Sequence, residues 1–417
     1  MQKYDEIMYY LNRMKHIIIL GDGMADGPCE ELGGLTPLEA AETPALDELA
    51  RRGRNGLLAT VPAGFSPGSE IAHLSLLGYD LPEVFEGRGT LEAASMGVDI
   101  APGEMAMRCN LICIADDGTI KNHSAGHISS EEASELIEYL NRNLADGRSE
   151  FFPGVSYRHL LKVKNGDKRI HCTPPHDVPG HPAAEELVRA EVTDAQETAD
   201  YLNGLICRSR DLLSAHPVNL RRVAEGKDPA NSIWPWSPGY KPAMKTMGEI
   251  FGVREGYVIS AVDLIMGIGV YAGLKPIYVE GATGLYDTNY EGKLRAAVDA
   301  LRNGADFVFL HIEASDEAGH EGDALLKKRT IENLDSRIVA PLLEELACFD
   351  EEVAVALLPD HPTPCRIRTH TSDPVPFVIM RSDVTPDRVV KYSEKAAAAG
   401  GYGLLKKDEF IKEFLKK

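Results

Sequence analysis

Short, unbroken apolar runs that stop at a polar residue recur along this chain. Ile17-Ile18-Ile19-Leu20 ends at Gly21-Asp22-Gly23, and Phe307-Val308-Phe309-Leu310 leads to His311, Glu313 and Asp316. Residues 353–358 end at Pro359-Asp360-His361, and Tyr257-Val258-Ile259 and Pro376-Phe377-Val378-Ile379 add two further runs. Strands without period-two alternation are buried on both faces, the habit of parallel sheets covered by helices. Between them, 37–52 is rich in Ala, Leu and Glu and stops at Gly53, while 290–303 stops at Gly304. Residues 323–349 read as a long helix that Pro341 kinks or splits. Strands alternating with helices predict an α/β fold with a doubly wound, mostly parallel sheet.

The middle of the chain has a different pattern. Residues 110–120 read as a hairpin turning at Asp117-Gly118, and 158–172 as another turning at Asn165-Gly166. Ser129 and Glu132 have the spacing of a capping box opening a helix to about 144. Hairpins mixed with helices predict an inserted α+β domain at 101–239. It would interrupt a discontinuous α/β core of 14–100 and 240–417, with Ala101-Pro102-Gly103 and the Pro- and Gly-rich 234–242 as borders. Residues 1–13, ahead of Met14, read as a start-site extension or a loosely attached helix.

Charge narrows the partners. Among 417 residues, 64 acidic side chains against 44 basic ones leave a net charge of −20. With no long Lys/Arg run, nucleic acid and anionic membrane are excluded as partners. A composition of 44% hydrophobic and 26% charged residues is that of a globular protein, not a collagen or a disordered chain. The 7 cysteines form no Cys-x-x-Cys, which argues against a zinc ribbon or thioredoxin motif and for free thiols in a reducing cytoplasm. No apolar run is long enough to span a membrane; 257–270 comes nearest and is interrupted by Asp263. The N-terminus lacks the apolar core and cleavage site of a secretory signal.

Candidate chemistry lies at the ends of the apolar runs. Gly21-Asp22-Gly23 followed by Gly27 has the wrong glycine spacing for a dinucleotide fingerprint, and Asp22 would repel a pyrophosphate. Asp22 does sit where α/β sheets place their ligands, beyond a strand's carboxyl end. Asp316 and His320 are four apart, so a helix presents both on one face. Asp360 and His361 follow a buried strand, and His370 lies in the loop before the last one. Each segment alone reads equally well as a turn, a surface pair or a loop histidine. Together they bring six groups to corresponding strand ends, where the carboxylates would repel one another without cations between them. Oxygen and imidazole donors without cysteine suit manganese, magnesium or zinc. A pair of such ions forms a clamp for in-line displacement at phosphorus. Pro67-Gly68-Ser69 before the apolar 70–77 stretch puts Ser69 at a helix N-terminus, where the dipole stabilises an alkoxide and a phosphoryl group. Ser66 is the runner-up nucleophile.

The set Gly21-Asp22-Gly23-Met24-Ala25-Asp26, Pro67-Gly68-Ser69, Asp316-Glu317-Ala318-Gly319-His320, Asp360-His361 and Thr369-His370-Thr371 resembles the alkaline phosphatase superfamily. More narrowly it resembles the cofactor-independent phosphoglycerate mutases of the archaeal type, from Lys15 to about Arg381 with order and spacing intact. The resemblance implies one ion held by Asp316, His320 and His370, and another held by Asp22, Asp360, His361 and the Ser69 oxygen. It implies that Ser69 takes the phosphoryl group and returns it to a different hydroxyl, while the inserted domain acts as a cap over the substrate.

A small anionic phosphorylated substrate calls for Arg or Lys. The candidates are Arg88, Arg158 and Lys245, with His123 and His127 beside them. The expected activity is interconversion of 2- and 3-phosphoglycerate in glycolysis and gluconeogenesis, without a nucleotide or 2,3-bisphosphoglycerate cofactor. Two departures from the family pattern stand out. Ser237 occupies a position of the Trp234-Pro235-Trp236-Ser237-Pro238-Gly239 segment where glycine is expected, and 281–293 is closer to a bacterial branch that phosphorylates homoserine. Homoserine as acceptor, a metal-dependent phosphatase and a metal sensor without turnover are therefore the alternatives.

Overall fold

A computed structural model describes residues 14–416; the 1–13 segment lies outside the described residues. The chain divides into two compact units, one running to Phe85 and resuming at Met244, the other Glu86–Ala243.

The first unit is built on a sheet of eight strands among the described residues. Their order is Lys275–Ile277, Gly256–Ile259, Phe307–Ile312, Lys15–Gly21, Val353–Leu358, Val375–Met380, Arg54–Ala59 and Gly403–Lys406. All neighbours pair parallel except Val375–Met380, which runs antiparallel to both of its partners. The Lys15–Gly21 strand is central, with Leu20 in register with both His311 and Leu358. Its side chains Ile17, Ile18, Ile19 and Leu20 are fully buried, as the unbroken apolar run predicts. The register carries Asp22, His311 and Asp360 to one end of the sheet. The loop holding His370 arrives at that same end, because it feeds a reversed strand.

The helices differ from the sequence reading in two places. The expected 37–52 helix is two, Pro37–Ala40 and Pro44–Arg52, because Pro44 cannot donate to the carbonyl of Ala40 and instead opens the second helix. The 323–349 stretch is Ala324–Leu334, a π-turn at Asp335–Val339, and Ala340–Leu346. The wider turn absorbs the backbone donor that Pro341 lacks.

The second unit has an antiparallel sheet in the order Ile120–Asn122, Glu104–Ile114, Arg158–Lys164, Ser149–Phe152, with Ser232–Gly239 also paired to Glu104–Ile114. Helices Ser130–Asn143 and Gln196–Ser214 cover it through Leu136, Ile137, Leu140, Leu202 and Leu205. The turn at Asp117-Gly118 joins the expected hairpin, Cys113 pairing Asn122.

The 158–172 hairpin is not formed. Arg158–Lys164 pairs Glu104–Ile114 and Ser149–Phe152, Asn165 N–H bonds Gly103 O, and Ile170–His171 pairs Arg189–Ala190. Longer-range partners win because they bury both faces of the strand, Leu161 and Val163 on one side and Leu160 on the other. Ser129 caps its helix by accepting from Glu132 N–H, but the Glu132 carboxylate is engaged by Arg222 at 2.5 Å.

The unit's borders fall at 86 and 243, outside the expected 101 and 239. Helix Arg88–Ser95 is the reason, since its Ala93 packs with Ile100, Ala106 and Leu160. The 234–242 stretch, expected as a border of the inserted domain, is largely the Ser232–Gly239 strand within it.

Candidate active site

At the carboxyl end of the central strand, chain direction turns sharply and Asp22 is left fully buried. Its Oδ2 meets His311 Nε2 at 2.8 Å, while its Oδ1 is 3.9 Å from His361 Nε2 and has no hydrogen-bond partner. Asp360, following the neighbouring strand, accepts at Oδ1 from the backbone N–H of Gly23 (3.1 Å) and His361 (2.9 Å). Its Oδ2 lies 3.2 Å from His361 Nε2 and is likewise buried without a hydrogen bond. Gly23 has φ +61, and an added Cβ would strike Asp316 Oδ1 at 2.6 Å, so only glycine lets these carboxylates close in.

Ser69 is the first residue of helix Ser69–Leu76, and its Oγ is 3.2 Å from His361 Nε2. One turn on, His73 Nδ1 lies 2.7 Å from Ser69 O and 3.4 Å from Asp360 Oδ2. Ser66, the runner-up, is exposed and outside this cluster.

A second cluster adjoins the first. Helix Ala314–Glu321 presents Asp316 and His320 together, with His320 Nε2 at 3.2 Å from Asp316 Oδ2. His370 Nε2 is 3.4 Å from Asp316 Oδ1 and 2.9 Å from His320 Nε2. Thr363 Oγ1 donates to Asp316 Oδ1, and His320 Nδ1 is 3.0 Å from Arg368 O. The rings of His361 and His370 stack with centroids 3.9 Å apart, joining the clusters. Asp316, His361 and His370 form one group of converging donors, and Asp22, Asp360 and His361 another.

The electrostatics are strained in the way the acidic crowding predicts. Burial, and then repulsion from Asp360, Asp316 and Glu313, push the Asp22 carboxyl well above the usual range. Burial acts against Asp316 too, yet hydrogen bonds to His320 and His370 hold it well below. His320, bonded to Asp316, is raised to about 9. Burial and the nearby Asp316 raise Glu313 to about 8, and burial lowers the neighbouring Lys293 to about 8. Orphaned oxygens on two buried carboxylates, and imidazole nitrogens aimed at one another across a third, are the donor set that divalent cations satisfy.

The candidate substrate residues separate. Lys245, in the first unit, is exposed, and its carbonyl accepts from Tyr79 Oη at 2.8 Å. Arg88, His123, His127 and Arg158 belong to the second unit. There His123 and His127 pack edge-on to Tyr157, with centroids 5.4 and 6.1 Å away, and Arg158 lies over the same ring at 5.5 Å. His176 joins them, 6.0 Å from His123 and 5.3 Å from Trp236. Arg108 lies 4.4 Å over the Trp236 ring, and burial and then the nearby charges of Arg88 and Arg158 lower its pKa against the pull of Glu92. Ser237 has φ +53, which accounts for the expected glycine, and its hydroxyl accepts from Arg88 N–H at 3.0 Å.

Sequence reasoning missed His73, His311, Thr363, Arg108 and His176. The four-residue spacing of Ser69 and His73 was a usable signal, as was the polar end of the Phe307–Ile312 strand. Arg108 gave none, since only strand pairing brings it to Trp236, and His176 gave none, since it reaches the same ring from a turn.

A mostly parallel α/β sheet ending in buried carboxylates, imidazoles and a helix-initial serine defines an enzyme with a centre for divalent cations. The family model for 2,3-bisphosphoglycerate-independent phosphoglycerate mutase matches residues 50–219. The protein of that name from Methanosarcina acetivorans is 50% identical over 400 residues, covering 95% of this chain and 98% of its own. A protein from Geobacter sulfurreducens described as a probable mutase of the same kind is 47% identical, covering 93% and 96%. The cofactor-independent phosphoglycerate mutase of Thermoplasma acidophilum superposes with a TM-score of 0.66 at 29% identity, covering 94% and 96%. A Pyrococcus horikoshii protein gives 0.82 at 30% identity, covering 97% and 98%. The chain belongs to the 2,3-bisphosphoglycerate-independent phosphoglycerate mutase family. Among the described residues, no helix is long and apolar enough to cross a membrane.

Proposed function

We propose that this chain interconverts 2-phosphoglycerate and 3-phosphoglycerate through a phosphoserine at Ser69. The observation that carries the reading is Ser69 Oγ at 3.2 Å from His361 Nε2, beside carboxylates that each keep a buried, unpartnered oxygen. Asp22, Asp360, His361 and Ser69 would hold one divalent ion, and Asp316, His320 and His370 the other, with manganese, magnesium or zinc fitting the donors. When bound, such ions supply Lewis acidity and neutralise charge at a transferring phosphoryl group.

The chain's own residues do the rest. Ser69 Oγ bonds to phosphorus as the bond from phosphorus to one glycerate oxygen breaks, and that oxygen leaves with a proton. The glycerate then presents its other hydroxyl, which attacks the phosphoserine, gives up its proton and regenerates free Ser69. His73, by holding the Ser69 carbonyl, keeps the first helical turn and its N–H groups in place behind the phosphoryl group. The Glu86–Ala243 unit acts as the cap in this reading, with Arg88, Arg108 and Arg158 supplying the cationic groups for phosphate and carboxylate, and His123, His127 and His176 offering further hydrogen-bonding groups. A cap has a chemical purpose, since water reaching phosphoserine would turn a mutase into a phosphatase. A glycolytic role in the cytoplasm accompanies this reading.

The test supplies 3-phosphoglycerate and Mn²⁺ to the purified chain and follows 2-phosphoglycerate through a coupled enolase. Product formation is expected without added 2,3-bisphosphoglycerate. Failure to form it, with phosphoryl transfer to homoserine instead, would overturn the assignment.

A further inference from the structure

His311 lies outside both groups of converging donors, yet it is fully buried against one of them. Its Nε2 is 2.8 Å from Asp22 Oδ2, and its Nδ1 is 2.9 Å from Ser260 Oγ. Ser260 Oγ in turn accepts from the backbone N–H of Val262 at 3.0 Å, and Lys293 Nζ donates to the His311 carbonyl at 3.3 Å. The direction of this chain of bonds follows from its ends. A carboxylate that ligates a cation can only accept, so with an ion on Asp22 it is His311 Nε2 that carries the hydrogen. A neutral ring then has a bare Nδ1, and the Ser260 hydroxyl must donate to it.

The consequence for Asp22 is a division between its two oxygens. Oδ2 is taken by His311, and Oδ1 is left buried, unbonded and facing His361. The other cluster is held differently among the described residues: Asp316 accepts from the Thr363 hydroxyl, which also lies 3.3 Å from His361 Nδ1, and His320 meets a backbone carbonyl. We propose that Ser260 and His311 form an orienting relay that aims Asp22 Oδ1 at one of the two cation sites and raises the affinity of that site alone. The proposal rests on the reading of Asp22 as an ion ligand. His311 is a positioning residue in it, acting through Asp22, and Ser260 acts through His311.

The test titrates the metal-free full chain with Mn²⁺ by isothermal calorimetry, with manganese EPR counting bound ions. Wild type is expected to take two ions. His311→Leu should keep one at wild-type affinity and bind the other roughly 10–100-fold more weakly, the usual loss when a ligand's outer partner is removed. His311→Gln carries an amide donor close to the position of Nε2 and should recover part of that loss. Ser260→Ala should weaken the same ion less than His311→Leu does.

Two ions at wild-type affinity in both His311→Leu and Ser260→Ala would overturn the relay, as would equal weakening of both ions. If His311→Leu does not fold by circular dichroism, Ser260→Ala decides alone by the same criterion. Asp22→Asn tests the ligand role of Asp22 apart from its orientation by His311. If it keeps both ions at full affinity, the ligand reading fails and takes the relay with it. If it loses one while the relay variants lose none, the relay fails and the ligand reading stands.

Discussion

Ser69 Oγ and His361 Nε2 lie 3.2 Å apart although 292 residues separate them in the chain. Ser69 starts a helix and faces an imidazole that lies 3.9 Å from Asp22 Oδ1 and 3.2 Å from Asp360 Oδ2, and it is the nucleophile proposed above. Ser69→Ala should lower mutase activity by on the order of 10³-fold or more. Incubation with labelled 3-phosphoglycerate should label wild-type protein and leave the variant unlabelled. A variant with near wild-type turnover would remove Ser69 from the reaction.

Cation binding should be visible as stability. Ions that bind the folded centre and not the unfolded chain stabilise by about 2.7 kcal/mol at 100 times the dissociation constant. Mn²⁺ is therefore expected to raise Tm and EDTA to lower it. Asp316→Asn should shrink the Mn²⁺-dependent rise, because it removes the carboxylate between His320 and His370.

Acid should unfold the second unit partly through His159. Burial drives this imidazole down to about 3, and its Nδ1 accepts from Gly154 N–H at 3.0 Å. In the unfolded chain it titrates near the usual value of about 6.5. Between those pH values the unfolded state binds the extra proton, so stability falls as pH falls from about 6.5 toward 3. His159→Asn, which keeps an acceptor but does not titrate, should flatten that slope in urea melts at pH 7.5 and 5. An unchanged slope would mean that other groups carry the acid sensitivity.

Lys327 ties the loops of the two clusters together. It is fully buried, and its Nζ donates to Ala25 O (3.1 Å), Asp26 Oδ2 (2.9 Å) and Thr363 O (2.8 Å). Lys327→Met leaves a buried carboxylate unpaired and should cost about 3–5 kcal/mol in chemical denaturation. Lys327→Met with Asp26→Asn should recover part of that loss.

Ser237→Gly exchanges two small effects. It relieves a left-handed backbone conformation that costs a non-glycine residue about 1 kcal/mol, and it removes the acceptor for Arg88 N–H. Stability should move by less than about 1 kcal/mol. The KM for 3-phosphoglycerate should rise while kcat holds, since the change loosens a proposed substrate-holding arginine.

Much of the first unit was legible because its strands are buried on both faces, which leaves an unbroken apolar run in the chain. The strands 15–21, 307–312 and 353–358 each end within a few residues of a ligand candidate for that reason. The second unit was harder to read. A two-residue Asn165-Gly166 signal predicted a hairpin, and the competing partner was Glu104–Ile114, far away in the chain. Glu132 met the spacing of a capping box, and Arg222, ninety residues on, took its carboxylate.

The residue types of the centre, their order and their place after apolar strands are local properties, and these the amino-acid sequence determined by itself. The tertiary structure decided which atoms face which. Parallel register put Leu20 beside both His311 and Leu358, and so set His311 against Asp22 and left the Asp22 Oδ1 bare. Strand pairing likewise set Arg108 beside Trp236, and a turn distant in the chain brought His176 to the same ring, contacts that no periodicity links. Spacing along a chain constrains neighbours within a helical turn or a hairpin; contacts hundreds of residues apart depend on how whole faces bury one another.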